Sequence, residues 1–185
     1  MNVSHFSKKF TCFICITIIS FIWCFGQNSN KSEYQHDWSE NEFLWVNLGL
    51  GFSSVGGVLG GSFGINGSYQ IRKSIFSLRF VHSKEMNLIF NVQDLDSNWD
   101  LGLLYGLNLR RTFGFVSMSA GISYVGLNIY ENSEEMRYAT VGLPIETQFF
   151  LTLKHIGFGI YGFANINSKS SFAGGLICIQ LGKLR

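Results

Sequence analysis

From Phe43 onward, apolar residues recur at every second position along most of the chain. Around residue 65, for example, Phe63, Ile65 and Tyr69 alternate with small or polar residues. A period of two is the period of a β-strand whose two faces differ in chemistry. Beyond the first 26 residues no apolar run approaches 18 residues, so any membrane span there must use strands.

The alternation is interrupted at regular intervals, which divides this part of the chain into eight candidate strands. Short basic turns are predicted at Arg72-Lys73, at Arg110-Arg111 and near Lys154, and longer connections at residues 53–59, 86–98, 131–137 and 165–171. Alternating short and long connections are typical of an up-and-down barrel. The single proline, Pro144, lies in the sixth segment and predicts a bulge there.

The first 26 residues have the pattern of a secretory signal peptide. Lys8 and Lys9 precede an apolar run over residues 10–25, which is too short for a comfortable membrane helix. The sequence therefore predicts a signal peptide at 1–26 with cleavage before Gln27, a flexible polar leader at 27–42, and a barrel at 43–185.

Charge and cysteine content exclude several function classes. Removing the predicted signal peptide takes two of the 14 basic residues and none of the 12 acidic ones, so the mature net charge is zero. A nucleic-acid partner gains no support from that balance. The remaining thiol, Cys178, has no partner for an intramolecular disulfide. Neither metal-ligand spacing nor a phosphate-binding loop is present, so we predict no metal and no cofactor.

Each strand has an apolar face and a second, more polar face, and the composition of the polar face indicates whether the apolar face points to lipid or to a core. That second face is rich in Gly, Ser, Asn and Gln, and charged residues make up 14% of the chain against roughly 25% in average proteins. A soluble calyx would turn this face to water and would carry more charge. The pattern favours an all-β fold, an eight-stranded antiparallel up-and-down transmembrane β-barrel following a cleaved signal peptide, with apolar side chains toward lipid.

In its signal peptide, eight amphipathic strands and alternating turn lengths, the chain resembles the small outer-membrane barrels of the OmpA/OmpX type. The resemblance covers Phe43 to Gly182 and is one of pattern, without a diagnostic motif. It implies a monomer in the bacterial outer membrane, in contact with outer-membrane lipids and, during insertion, with the assembly machinery. The chain departs from the family at its end, where the last strand finishes without an aromatic residue.

Two charged residues fall at inward positions, Arg79 on the third strand and Glu146 on the sixth. Arg79 stands six residues above Lys73, and Glu146 stands eight above Lys154, which suggests similar depths. We therefore expect an ion pair across the lumen, because a lone charge there is costly. Such a pair either fixes the interior as a plug or gates a narrow pore.

Some barrels of this class are enzymes acting on lipid A, with a serine nucleophile and a histidine base. Here His82 and Ser83 are adjacent on one strand and face opposite sides of the wall, so they do not form that pair. Asp100 and Glu85 are expected near the outer rim, within reach of His82. The sequence thus favours a non-enzymatic envelope component, structural or used for surface binding and adhesion, with a lipid A acyl hydrolase or acyltransferase and a narrow pore as alternatives.

Acidic residues gather at the predicted long-loop edge. The cluster comprises Asp94, Asp96, Glu131, Glu134 and Glu135. These carboxylates either bind divalent cations, repel anionic surfaces or form an ordinary solvated rim. Aromatic residues such as Trp45, Trp99, Tyr105 and Tyr124 are expected to face lipid, where they can supply interfacial girdles.

Overall fold

The computed structural model describes residues 42–55, 57–86, 96–131 and 134–184. The predicted signal peptide and the leader up to residue 41 lie outside these ranges. No helix in the described ranges is long and apolar enough to cross a membrane. The strands are β1 (Glu42–Val55), β2 (Val58–Ile71), β3 (Ser74–Glu85), β4 (Ser97–Arg111), β5 (Gly114–Glu131), β6 (Glu134–Thr152), β7 (Ile156–Asn167) and β8 (Phe172–Lys183).

The eight strands form one closed antiparallel barrel, which confirms the predicted fold. Each strand pairs with the next, and β8 pairs with β1. Following paired residues around the wall from Leu44 leads back to Ser54 on the same strand, so the sheet closes with a shear of ten residues. Eight strands with such a stagger tilt by roughly 35–45° from the barrel axis and enclose a bore that side chains fill.

The apolar set faces outward along all eight strands, as the sequence predicts. Leu50 is 73% exposed and Ile177 is 79% exposed, whereas the inward-facing Ser83 is fully buried. Between Lys84 near one rim and Lys183 near the other, the outward positions carry no charged side chain in the described strands. A closed sheet with this exterior satisfies its backbone hydrogen bonds internally and presents a hydrocarbon-compatible surface.

The short-turn end of the interior contains a cluster of aromatic rings. The rings of Trp45 and Phe115 are tilted against each other with centroids 5.2 Å apart, and Phe115 stacks on Phe150 at 5.6 Å. The guanidinium of Arg110 lies 4.0 Å from the centroid of the Phe43 ring. Trp45 is 1% exposed, so its expected place on the lipid face is wrong: it shares the inward face with Asn47.

The remaining predicted girdle residues lie on the outer wall. Phe80 and Trp99 stack at 6.5 Å, and Trp99 contacts Tyr124 at 5.5 Å, in a row of rings that crosses β3, β4 and β5. Trp99 covers Gly126, its cross-strand partner, where an added Cβ would lie 2.4 Å from the indole ring. Because Gly126 has no side chain, the indole ring of Trp99 can pack over the backbone at this position.

The connections at the long-loop edge are shorter than the sequence suggests. β1 ends at Val55 and β2 begins at Val58, and β5 ends at Glu131 and β6 begins at Glu134. The connection over residues 86–96 is the longest among those joining the eight strands. Pro144 interrupts the β5–β6 ladder, but pairing resumes in the same register, so the predicted bulge is wrong. Proline lacks an N–H group, and this loss opens the ladder without inserting a residue.

The β5–β6 hairpin extends past both neighbouring strands. Asn128 pairs with Ser97, the first residue of β4, and Gly142 pairs with Asn167, the last residue of β7. Beyond these points β5 and β6 remain paired with each other as far as residues 131 and 134. The stretch of β6 from residue 134 to residue 142 measures about 26 Å at roughly 3.3 Å per residue.

Candidate functional site

The middle of the bore contains a buried ion pair between Arg79 of β3 and Asp100 of β4. The Arg79 Nε donates to Asp100 Oδ1 at 3.1 Å, and Nη2 donates to Oδ2 in a second, short bond. Both side chains are fully buried. Arg79 also reaches across the bore, where Nη1 donates to the Ile145 carbonyl at 3.0 Å. The guanidinium thus ties the β3–β4 wall to the opposite wall.

Glu146 occupies a separate place in the same polar layer. Its Oε2 accepts hydrogen bonds from the Tyr161 hydroxyl and from Asn66 Nδ2, the latter at 3.2 Å. Its Oε1 accepts from Gln148 Nε2 at 3.1 Å. Asn47 Nδ2 in turn donates to Gln148 Oε1 at 3.1 Å, which links β1 to β6 across the bore. These neutral donors distribute the carboxylate charge over several strands.

The predicted ion pair between Arg79 and Glu146 is therefore wrong, because the acidic partner of Arg79 is a different residue. Both residues lie in the bore, but the carboxylate that forms the ion pair is Asp100, two positions from the residue directly opposite Arg79 on the neighbouring strand. Asp100 was expected at the outer rim, whereas it is fully buried. The number of residues between a side chain and the nearest turn does not give its depth in the bore, because the shear of the barrel staggers neighbouring strands.

Asn165 and four serines extend the network toward the long-loop edge. Asn165 Nδ2 donates to Asp100 Oδ2 and to Ser123 Oγ, both at 2.7 Å. Nearer that edge, Ser62 Oγ donates to Ser53 Oγ at 2.6 Å and lies 2.8 Å from Ser83 Oγ. The sequence predicts an inward face rich in serine and asparagine, but it does not predict which of these residues are hydrogen-bonded to one another.

The bore is packed rather than open where the structure describes it. A cavity of about 10 Å³ lies beside Asn47, Asn66, Arg79 and Tyr161. That volume is about what the centre of one water molecule needs. The Oδ1 atom of Asn47 is buried without a hydrogen-bond partner and borders this cavity. This cavity is large enough for a single bound water.

The residues considered for lipid chemistry are kept apart by the wall. His82 stacks on Phe63 on the outer face, with ring centroids 5.5 Å apart, whereas Ser83 is buried among the luminal serines. Within the described ranges, no three His, Cys, Asp or Glu side chains are grouped to hold a metal ion. The structure thus offers no nucleophile and base in contact at this position.

The predicted acidic cluster is distributed over two places at the long-loop edge. Glu131 and Glu134 are the last opposed pair of the β5–β6 hairpin, and Glu135 pairs with Tyr130 one step below. The backbone carbonyl of Asp96 accepts a hydrogen bond from the Glu85 amide at 2.9 Å, at the base of the β3–β4 connection. Asp94 lies outside the described residues.

A closed eight-stranded meander with a polar, packed bore and an uncharged apolar exterior defines a small transmembrane β-barrel of the outer-membrane type. The protein is located in the bacterial outer membrane, where its exposed belt meets acyl chains instead of water.

Comparisons with known proteins agree with this class. No family model matches the sequence, and no curated protein is significantly similar to it. Among solved structures, Neisserial surface protein A superposes with a TM-score of 0.59 at 12% identity, over 77% of this chain and 97% of that one. Ail, the attachment invasion locus protein of Yersinia pestis, gives 0.55 at 5% identity, over 76% and 97%.

A third similar structure is the N-terminal β-barrel domain of Pseudomonas aeruginosa OprF. Its TM-score is 0.51 at 10% identity, over 75% of this chain and 96% of that domain. At such low identities the likeness establishes the fold, and function has to be argued from this chain's own residues.

Proposed function

We propose that the protein is a non-enzymatic component of the outer membrane whose barrel displays the β5–β6 hairpin as a binding or adhesion surface. The observation that carries the proposal is the extension of this hairpin beyond β4 and β7. A strand that extends beyond its neighbours has main-chain donors and acceptors along its edge that no neighbouring strand pairs with. An extended segment of a partner protein can form hydrogen bonds with them.

Side chains of the extension support a role in contact with partners. Arg137, Tyr138 and Ala139 are exposed on β6, above the last residue that pairs with β7. The β7–β8 turn braces this stretch, because Lys169 Nζ lies 5.4 Å from the Tyr138 ring centroid and Thr140 Oγ1 lies 3.3 Å from Ser168 Oγ. A braced edge loses less conformational entropy on binding than a mobile loop.

The packed bore favours this class over a pore. Arg79 crosses the lumen to the Ile145 carbonyl, and the aromatic group around Trp45 fills the short-turn end. Ion flow would require these side chains to move together. The separation of His82 from Ser83 likewise gives no support to the enzyme alternative.

Attachment of whole cells tests the proposal. We would express the chain in a non-adherent Gram-negative host and count the bacteria retained on cultured epithelial cells. In the variant, residues 130–135 are replaced by Asn-Gly, which closes Ile129 and Met136 with a two-residue hairpin turn. We expect retention by wild-type cells and loss in the shortened variant.

The control replaces Lys84, which is exposed at the end of β3 on the same edge and outside the hairpin, with Ala and should keep most of the retention. Equal surface display is verified by labelling intact cells. Retention that is the same for the wild type, the shortened variant and the empty host would overturn the proposal. Planar-bilayer recordings of the purified barrel should show no stable conductance steps, and regular steps would favour the pore instead.

A further inference from the structure

The outer wall carries a groove at its short-turn side. Leu44, Tyr69, Phe76, Tyr105 and Ala120 form one continuous row of paired residues across β1 to β5. The row directly above it contains Gly67, where an added Cβ would meet no atom within 4 Å. The small residues at Gly67 and Ala120 leave a depression of about 670 Å³ beside the Phe76 and Tyr105 rings.

The groove rises from the short-turn edge toward the middle of the wall. Tyr69 and Phe76 lie two residues from the short-turn ends of their strands, whereas Tyr105 and Ala120 lie six residues from theirs. Crossing from β1 to β5 covers four strand spacings, or about 19 Å. An acyl chain has the shape and chemistry to lie along such a track, and the surrounding belt already faces lipid.

Charged residues stand at the lower end of the groove. The β2–β3 turn is formed by Arg72 and Lys73, both exposed, and Glu42 pairs with Ile71 beside that turn. Arg72 has φ of 55°, a left-handed conformation that glycine or asparagine adopts at lower cost. Exposed cations at this edge can contact lipid phosphate groups at the membrane interface.

We propose that this groove and turn form a binding site for one glycerophospholipid of the periplasmic leaflet, because short turns mark the periplasmic edge of such barrels. The acyl chain lies between Gly67 and Ala120, packed against Phe76 and Tyr105. Arg72 and Lys73 contact the phosphate, and Glu42 favours a headgroup that also carries an amine. Bulk lipid is as apolar as the groove, so shape and the headgroup contacts supply the preference.

Native mass spectrometry of the full barrel tests this site. The protein is transferred into detergent micelles containing phosphatidylethanolamine at low mole fraction, and bound lipid is counted per barrel. Gly67→Leu fills the groove without meeting the backbone. Arg72→Asn removes the charge while easing the turn, because asparagine tolerates a left-handed conformation.

We expect the wild type to retain one phospholipid. Arg72→Asn should lower its occupancy by roughly fivefold, which is about what one interfacial cation contributes. Gly67→Leu should lower it too, because the leucine side chain takes the place of the acyl chain. The matched control is Gly175→Leu on β8, an exposed glycine outside the groove whose added Cβ would meet only the Tyr161 carbonyl, at 4.0 Å.

Thermal melts confirm that all four proteins fold, and Arg72→Asn should melt no lower than the wild type. Equal lipid retention by the wild type, Gly67→Leu and Gly175→Leu would overturn the site. So would a wild-type dimer that Gly67→Leu converts to monomer, because a second copy would then occupy the groove. Neither result depends on the adhesion proposal, which concerns the opposite edge of the barrel.

Discussion

Breaking the luminal ion pair is the perturbation that most directly tests the described interior. In Asp100→Ala the guanidinium of Arg79 stays buried and keeps its bond to the Ile145 carbonyl, but it loses both bonds to the carboxylate. Leaving one member of a buried pair uncompensated costs about 3–5 kcal/mol. Asn165 loses an acceptor as well, which adds to the loss.

Glu146→Gln provides the comparison that distinguishes the two carboxylates. Glu146 receives its hydrogen bonds from Tyr161, Asn66 and Gln148, and a glutamine retains one carbonyl acceptor for them. Its replacement should therefore cost about 1–2 kcal/mol. Lys84→Gln, at an exposed position near the end of β3, should change stability by less than about 0.5 kcal/mol and serves as the surface control.

Reversible guanidinium unfolding in lipid vesicles, followed by the tryptophan fluorescence of the barrel, measures these free energies. Double-mutant cycles that combine Arg79→Met with Asp100→Leu, and separately with Glu146→Gln, give the coupling of each pair. The reasoning predicts the larger coupling for Arg79 with Asp100. A larger coupling with Glu146, or an Asp100→Ala variant as stable as wild type, would refute it.

Three further predictions concern other parts of the barrel. Arg110→Met should lower the melting temperature, because it removes the cation beside the Phe43 ring and the donor to the Leu184 carbonyl; Arg110→Lys should restore part of the loss, as read by circular dichroism. Gly126→Val should lower the melting temperature by displacing the Trp99 ring, and the shift in indole fluorescence should appear in the same variant; unchanged values for both would contradict the contact. Cys178 is 3% exposed, so in the folded barrel it should react with maleimide only at the rate of unfolding, whereas modification at the rate of a free thiol would show that the bore opens.

Alternation along the chain was sufficient to predict the barrel, because a strand side chain must point to one face or the other. Phe63, Ile65 and Ile177 were assigned to lipid and are exposed, and Asp100 already stood on the inward face of its segment. The partner of Arg79 was missed because depth was counted from the nearest turn. The register that brings Asp100 beside Arg79 comes from pairing between strands, which no single segment encodes.

The chain by itself determined the number of strands, the direction each face points and the membrane that such an exterior requires, since these follow from period and polarity. Tertiary structure decided which inward residues meet: closure and shear bring distant positions to one depth, so that Asn47 of β1 bonds to Gln148 of β6. The tertiary structure also decided where β5 and β6 extend beyond β4 and β7, and where the groove at Gly67 lies, because both depend on the length and register of adjacent strands.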